Sequence, residues 1–370
     1  MKMIKINKVK KAVALMTVGA LAMSIFASCG KKTENVTDEN GRTIISVGSW
    51  PSKEGQEKQN MEERKQKFEA DNTEFVIQPD NWSFDLKSFY AKAAGGQLPV
   101  LFNTNFTEVS QIINAGYGAD LTDELKKQGI YDKMNKDVMD VVSKDGKVYA
   151  YPFASYVLGL AYNVDLFEKA GLMNEDGTPK QPKDWNELAE FAVKIKKATG
   201  VPGFIFPTAN NVGGWIFTSV AWSYGTEFMK KDGDKWKATF DSPEAAEALQ
   251  FIKDLKWKYD VLPSNTFVDY TEQFKTFGTG QGAMVIAAGD MPADVRSYEM
   301  NPDSIGMMAI PRGPKDHVTL MGGSVFAVSK GSSDKQIEGA IKWIKTAYSP
   351  DLTEQYKENK EKDIKTRLEN

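Results

Sequence analysis

Three short β-branched and apolar runs, at residues 43–47 (TIISV), 75–77 (FVI) and 99–102 (PVLF), alternate with helix-like stretches at 55–70 and 84–94. Each run ends in polar or turn-forming residues: Gly48-Ser49-Trp50-Pro51 after the first, Pro79-Asp80-Asn81-Trp82 after the second. Strand–helix–strand–helix alternation predicts an α/β architecture built on a parallel sheet flanked by helices. Further on, residues 147–151 (KVYAY), 157–162 (VLGLAY), 283–288 (AMVIAA) and 325–328 (VFAV) read as strands. Asp184 opens a helix with Glu187 three residues on, a capping-box pattern. Trp185, Leu188, Ala189, Ala192 and Ile195 then share one face, and Gly200 closes it. Residues 241–244 (DSPE) open another helix, with Ala245, Ala248, Leu249 and Ile252 inside, and a final amphipathic helix spans 334–347. Trp185, Trp257 and Trp343 sit among apolar helical neighbours and are expected in the core, whereas Trp236 belongs to a hairpin.

The N-terminus is of another kind. Lys2, Lys5, Lys8, Lys10 and Lys11 precede an apolar run at 12–26, then Ala27-Ser28-Cys29-Gly30. This is the charged, apolar and small-residue order of a secretory signal. The apolar run is shorter than the roughly 20 residues a membrane-spanning helix needs. Residues 26–29 (FASC) resemble the bacterial lipobox, whose cysteine is lipidated and becomes the new N-terminus. Residues 1–28 are then a signal peptide, Cys29 the lipidation site, and residues 29–42 a polar tether. Fully extended, residues 31–41 reach about 35–40 Å at ~3.3–3.6 Å per residue. The expected location is extracytoplasmic, held by lipid at Cys29 to the outer face of the cell membrane or on the periplasmic side. The lipid is the only membrane contact expected.

An exported chain with one cysteine has no disulfide framework, so its stability must come from a sizeable core. The remaining length suits two domains. Lys and Arg number 47 against 50 Asp and Glu, a net charge of −3, which gives no broad basic surface for nucleic acid.

Catalytic and metal chemistry find little support. His317 is the only histidine and lies in a Pro/Gly turn, so it is expected to be an exposed loop residue. There is no HExxH, CxxC, GxSxG or Walker A sequence. Residues 278–283 (GTGQGA) fit a loose GxGxxA, but they follow a helix, where the dinucleotide fingerprint follows a strand. Asp and Glu are plentiful without any pair marked out for glycoside hydrolysis; Asp120, Asp123 and Glu124 flank a helix start. The expectation is a binding protein without enzymatic activity, metal or cofactor.

Residues 146–152 (GKVYAYP) and 159–171 (GLAYNVDLFEKAG) resemble the hinge-crossing motif of bacterial extracellular solute-binding proteins of ABC importers. The nearest resemblance is to the family 1 carbohydrate binders, the maltodextrin-binding-protein-like group. Residues 182–188 (PKDWNEL), 274–284 (FKTFGTGQGAM), Gly322-Gly323 and 340–350 (AIKWIKTAYSP) match later elements of that pattern, in order, over about residues 43–350. The resemblance implies a two-lobed periplasmic-binding-protein-like fold of type II, each lobe a mostly parallel sheet flanked by helices, with hinge crossovers near Pro152, Gly282 and Gly323. One lobe would be 43–152 plus 284–322, the other 153–283 plus 323–370, the lobes closing on ligand by a hinge motion. It also implies a monomer that delivers a neutral oligosaccharide to ABC permease subunits. The family pattern continues beyond residue 350, which implies a shortened C-terminus here.

Ligands of open α/β sheets bind at the carboxyl ends of the strands, and sugars need aromatic platforms with amide and carboxylate partners. The candidates are therefore Trp50, Asn81, Trp82, Asn103 and Asn105 after the first three strands. Tyr156 follows the hinge, Trp215, Trp222 and Tyr224 lie on one helix, and Asp290 and Met291 follow a late strand. Arginine recognises carboxylate and phosphate bidentately. Only Arg42, Arg64, Arg296, Arg312 and Arg367 occur, which favours a neutral ligand, Arg296 being the one to test otherwise. The alternatives are a non-sugar solute such as a polyamine, peptide or metal chelate, with Asp80 and Asp290 available to an amine; a secreted carbohydrate-active enzyme; and a partner of a sensor.

Overall fold

The computed structural model describes residues 36–233, 235–289, 291–298 and 300–348. The expected signal segment, the expected lipidation site Cys29, most of the expected tether, Asp290 and the residues after Tyr348 lie outside the described residues. The described residues divide into two compact units: the first comprises those up to Ala154 together with those from Ser324 onward, the second Ser155–Gly323.

In the first unit, β1 (Thr43–Val47), α1 (Gln56–Asp71), β2 (Phe75–Pro79), α2 (Leu86–Ala94) and β3 (Leu101–Asn105) realise the alternation. β1 pairs in parallel with both β2 and β3, with Ile45 opposite Ile77 and Val47 opposite Leu101. There follow α3 (Phe106–Asn114), α4 (Thr122–Lys127), α5 (Lys136–Val142), the short pair β4 (Ser143–Lys144) and β5 (Lys147–Val148), and β6 (Ala150–Val157).

The second unit holds β7 (Gly159–Asn163), α6 (Val164–Lys169), α7 (Trp185–Thr199), α8 (Val212–Tyr224), the hairpin β8 (Met229–Asp232) and β9 (Lys235–Ala238), and α9 (Pro243–Trp257). It continues with α10 (Tyr270–Gly278), β10 (Met284–Ala287), α11 (Met291–Val295) and β11 (Ile305–Met308). β12 (Met321–Val328) and α12 (Asp334–Tyr348) end the described chain.

The larger sheet has the order β2-β1-β3-β12-β6, and Ser324–Val328 of β12 runs antiparallel to β3. Helix α12 packs its buried Ala340, Ile341, Trp343 and Ile344 in the first unit's core, with Ile45, Phe68 and Phe75. The smaller sheet, β10-β7-β11, is antiparallel at both pairings, so the expected mostly parallel sheet is not found in this unit, whereas β1 pairs in parallel with β2 and β3.

These pairings correct the expected partition. Residues 284–322 do not join the first lobe, because β10 and β11 both hydrogen-bond to β7. Residues 324–348 do not join the second, because β12 pairs with β3 and α12 lies against β1. No division between the units falls near Gly282.

The caps follow the sequence. Asp184 Oδ1 accepts from the Glu187 amide at 2.9 Å while Glu187 Oε2 accepts from the Lys183 amide at 2.8 Å. Gly200 takes the left-handed conformation at φ 76° and closes α7 onto the Lys196 carbonyl, a position that favours glycine. Ser242 caps α9 with Pro243 in its first turn, and Asp269 with Glu272 forms a complete capping box on α10. Trp185 and Trp343 are buried as expected. Trp257 is not: it is 77% exposed. The buried face of α9 runs through Ala245, Ala248, Phe251 and Leu255, and a residue two places beyond Leu255 points to the opposite side at about 100° per residue.

Candidate functional site

In the first unit, the carboxyl ends of the three parallel strands are laced together by backbone. The Gly48 amide donates to the Leu101 carbonyl at 2.8 Å, Ser49 to Trp82 at 2.8 Å and Trp50 to Asp80 at 2.9 Å. A Cβ on Gly48 would meet the Pro99 ring at 3.1 Å and the Trp82 carbonyl at 3.2 Å, so the turn is set by close approach. The Ser49 hydroxyl reaches Asn103 Oδ1 at 2.6 Å. Asn81 and Asn105 are exposed and Asn103 is half-buried. Trp82 is half-buried, packing on Phe84 and Phe102, with its ring nitrogen donating to Ser88 Oγ at 3.3 Å.

Trp50 departs from expectation. It is 5% exposed, donates its ring N–H to Glu62 Oε1 at 3.2 Å, and stacks on Trp343. Its amide belongs to the post-strand loop, but its side chain turns back into the core, so it offers no face to a ligand.

In the second unit, Tyr156, Trp215 and Tyr270 form an aromatic chain. The Tyr156 and Trp215 centroids are 6.3 Å apart at 70°, and those of Trp215 and Tyr270 are 6.2 Å apart at 71°. Tyr156 and Trp215 are both half-buried. Gly322 allows this placement, since a Cβ there would come within 2.5 Å of the Tyr156 ring. Trp215 stands in the first turn of α8, and Gly213 lets that turn sit against the backbone of Pro207 and Thr208. Trp222, seven residues on and 38% exposed, lies on the same side of the helix. Tyr224 faces elsewhere, packing on Phe251, and burial, aided by the carboxylates of Glu247 and Asp184, pushes its phenol up to about 12. Met291 is fully buried in a cluster with Phe274 and Phe277 and presents no surface, which removes it from the candidates.

Tyr156 also lines an open, mainly apolar cavity of about 520 Å³ with Leu158, Met307, Ile310, His317 and Thr319. His317 is exposed, with Nε2 at 2.8 Å from the Ile310 carbonyl. Three of these features escaped the sequence reading. Tyr270 was signalled only by the Asp269 cap that places it at the start of α10, and Ser49 only by its post-strand position. The cavity has no linear signature. Among the described residues, no group of three or more His, Cys, Asp or Glu side chains gathers as a metal site, and no helix is long and apolar enough to cross a membrane.

Polar loops at the ends of parallel strands in one α/β unit, and an aromatic group beside a cavity in the other, define a protein that binds a small solute. The chain belongs to the bacterial extracellular solute-binding protein family, whose model matches residues 50–354. It is 27% identical over 368 residues to the sn-glycerol-3-phosphate-binding periplasmic protein UgpB of Escherichia coli O1:K1, covering 89% of this chain and 81% of the relative. Among solved structures, maltose-bound MalE3 of T. maritima superposes with a TM-score of 0.69 at 26% identity, over 83% of this chain and 78% of that one. UgpB of Mycobacterium tuberculosis, in complex with glycerophosphocholine, shares the fold at 20% identity and a TM-score of 0.68, over 84% and 76% of the two chains. The fold is thus that of the two-lobed type II binding proteins.

Proposed function

We propose that this chain captures a neutral sugar or polyol outside the cytoplasm and delivers it to the permease subunits of an ABC importer. It acts as a monomer held at the membrane by lipid on Cys29, and it has no catalytic step. The observation that carries this reading is the Tyr156–Trp215–Tyr270 aromatic chain beside the cavity of the second unit. Edge and face contacts of such rings suit the C–H faces of a sugar. In the first unit, Asn81, Asn103 and Asn105 supply neutral hydrogen-bonding groups. A solved relative carrying maltose adds support, whereas another relative is named for sn-glycerol-3-phosphate, an anionic ester. A neutral ligand is favoured over a phosphate because Arg42 is paired with Asp38 at 2.7 Å and Arg64 lies over the Tyr348 ring.

The test is a tryptophan-fluorescence titration of the purified chain with maltose, maltotriose, D-mannitol, sn-glycerol-3-phosphate, glycerophosphocholine, spermidine and a peptide mixture. A saturable response to a sugar or polyol, weakened at least tenfold in Trp215→Ala, supports the reading. A response confined to spermidine, peptides or the two phosphate esters overturns it, as does turnover of any oligosaccharide.

A further inference from the structure

Ser49 holds a left-handed backbone, φ 56°, just past the end of β1, a conformation uncommon and strained for a residue with a Cβ. Its neighbours do not explain the strain away. The three backbone bonds from Gly48, Ser49 and Trp50 to Leu101, Trp82 and Asp80 use only amides, which glycine would supply equally well. What serine adds is its hydroxyl, and that hydroxyl lies 2.6 Å from Asn103 Oδ1.

The consequence is chemical. A carboxamide has one accepting and one donating end. With Oδ1 engaged by the Ser49 hydroxyl, the end left to a ligand is Nδ2, a donor. We propose that Ser49 is a positioning residue that fixes the Asn103 carboxamide. This end of the first unit then selects a ligand atom with lone pairs, such as a hydroxyl or phosphate oxygen, and discriminates against ammonium groups. The inference rests on the reading of the protein as a sugar or polyol binder and deepens it by assigning the polarity of one contact.

Three variants of the full chain test it, with the tightest binder and spermidine as probes, by calorimetric titration. Asn103→Asp keeps an acceptor for the Ser49 hydroxyl but turns a second oxygen to the ligand. Affinity for the sugar or polyol falls about tenfold or more, as loss of a directed donor implies, while spermidine binding rises. Ser49→Gly relieves the backbone and frees the carboxamide: thermal stability holds or rises while affinity falls about three- to tenfold. Ser49→Ala lowers affinity similarly and keeps the strain. An Asn103→Asp variant that binds the sugar as well as the wild type overturns the proposed polarity. Unchanged affinity in Ser49→Gly reduces Ser49 to a turn residue. In both cases wild-type binding leaves the proposed function standing, whereas a wild type that binds no member of the panel removes both.

Discussion

The indole rings of Trp50 and Trp343 lie 6.1 Å apart between centroids, inclined by 28°, and Phe68 meets Trp343 edge-on at 5.5 Å. A residue of the loop after β1 is thereby joined to the middle of α12, almost three hundred positions away along the chain. Trp50→Ala removes a buried ring from this stack and is expected to cost about 3–5 kcal/mol, as large-to-small changes at buried aromatics do. Denaturant unfolding should show a lowered midpoint, while solute affinity of the folded fraction stays near wild type. A stable Trp50→Ala protein that fails to bind would contradict this assignment.

The same helix carries a charge cluster. Lys342 Nζ lies 2.9 Å from Glu74 and 3.1 Å from Glu338, and Lys335 lies 3.2 Å from Glu338. The hydrogen bond from Lys342 holds the Glu74 carboxyl below its ordinary value near 4.5. For Lys342, burial disfavours the charge, but Glu74 and Glu338 outweigh it and raise the ammonium above its ordinary 10.5. A carboxyl acidified by folding stabilises the fold above its unfolded value and loses that contribution as pH falls through the lower folded one. A lysine made more basic by folding contributes below its unfolded value and loses the contribution as pH rises through the higher folded one. This cluster's contribution is therefore complete between the ordinary 4.5 of Glu74 and the ordinary 10.5 of Lys342 and is lost on either side, which lowers the melting temperature there. Lys342→Met should flatten both limbs, with an effect at neutral pH of about 1 kcal/mol or less per pair, since these groups are partly solvated.

Gln273 is fully buried, and neither Nε2 nor Oε1 has a hydrogen-bond partner among the described residues. A buried, unsatisfied polar group costs roughly 1–3 kcal/mol. Gln273→Met keeps the length and removes the polar atoms, so it is expected to stabilise the second unit by about 1–2 kcal/mol in a thermal or denaturant transition. A destabilised variant would mean that the carboxamide is satisfied in solution, for example by an internal water.

How far the sequence foretold this arrangement depends on whether a feature was local. The β1–β3 alternation, the helix starts at Asp184 and at residues 241–244 and the burial of Trp185 follow from neighbouring residues, and the structure has them all. Trp50 misled because its backbone is in a polar loop while its ring is claimed by Trp343, a partner no local window contains. The exchange of 284–322 with the later segment failed for the same reason: an apolar strand such as β10 carries no mark of whether it will pair with β3 or β7. Tyr156 and Trp215 were legible as aromatics near strand and helix starts. Their meeting with Tyr270 was not, since it depends on the packing of α10.

Two glycines give contrasting expectations. A Cβ on Gly203 would come within 2.3 Å of the Ala192 backbone in α7. Backbone cannot yield cheaply, so Gly203→Ala should separate the 203–206 segment from α7, lowering stability by several kcal/mol as overpacking does at its upper range. At Gly322 the obstacle is the Tyr156 ring, 2.5 Å from the added carbon, and a side chain can rotate away. Gly322→Ala should therefore fold with a smaller loss of about 1–3 kcal/mol but displace Tyr156 from Trp215. Its signature is a change in intrinsic fluorescence and at least a fivefold loss of sugar or polyol affinity, reproduced by Tyr156→Ala. Gly322→Ala combined with Tyr156→Ala should recover stability without recovering binding, because the ring that obstructs the new carbon is also the ring assigned to the solute. If the double variant binds like wild type, Tyr156 is not part of the platform, and Trp215 and Tyr270 must carry it.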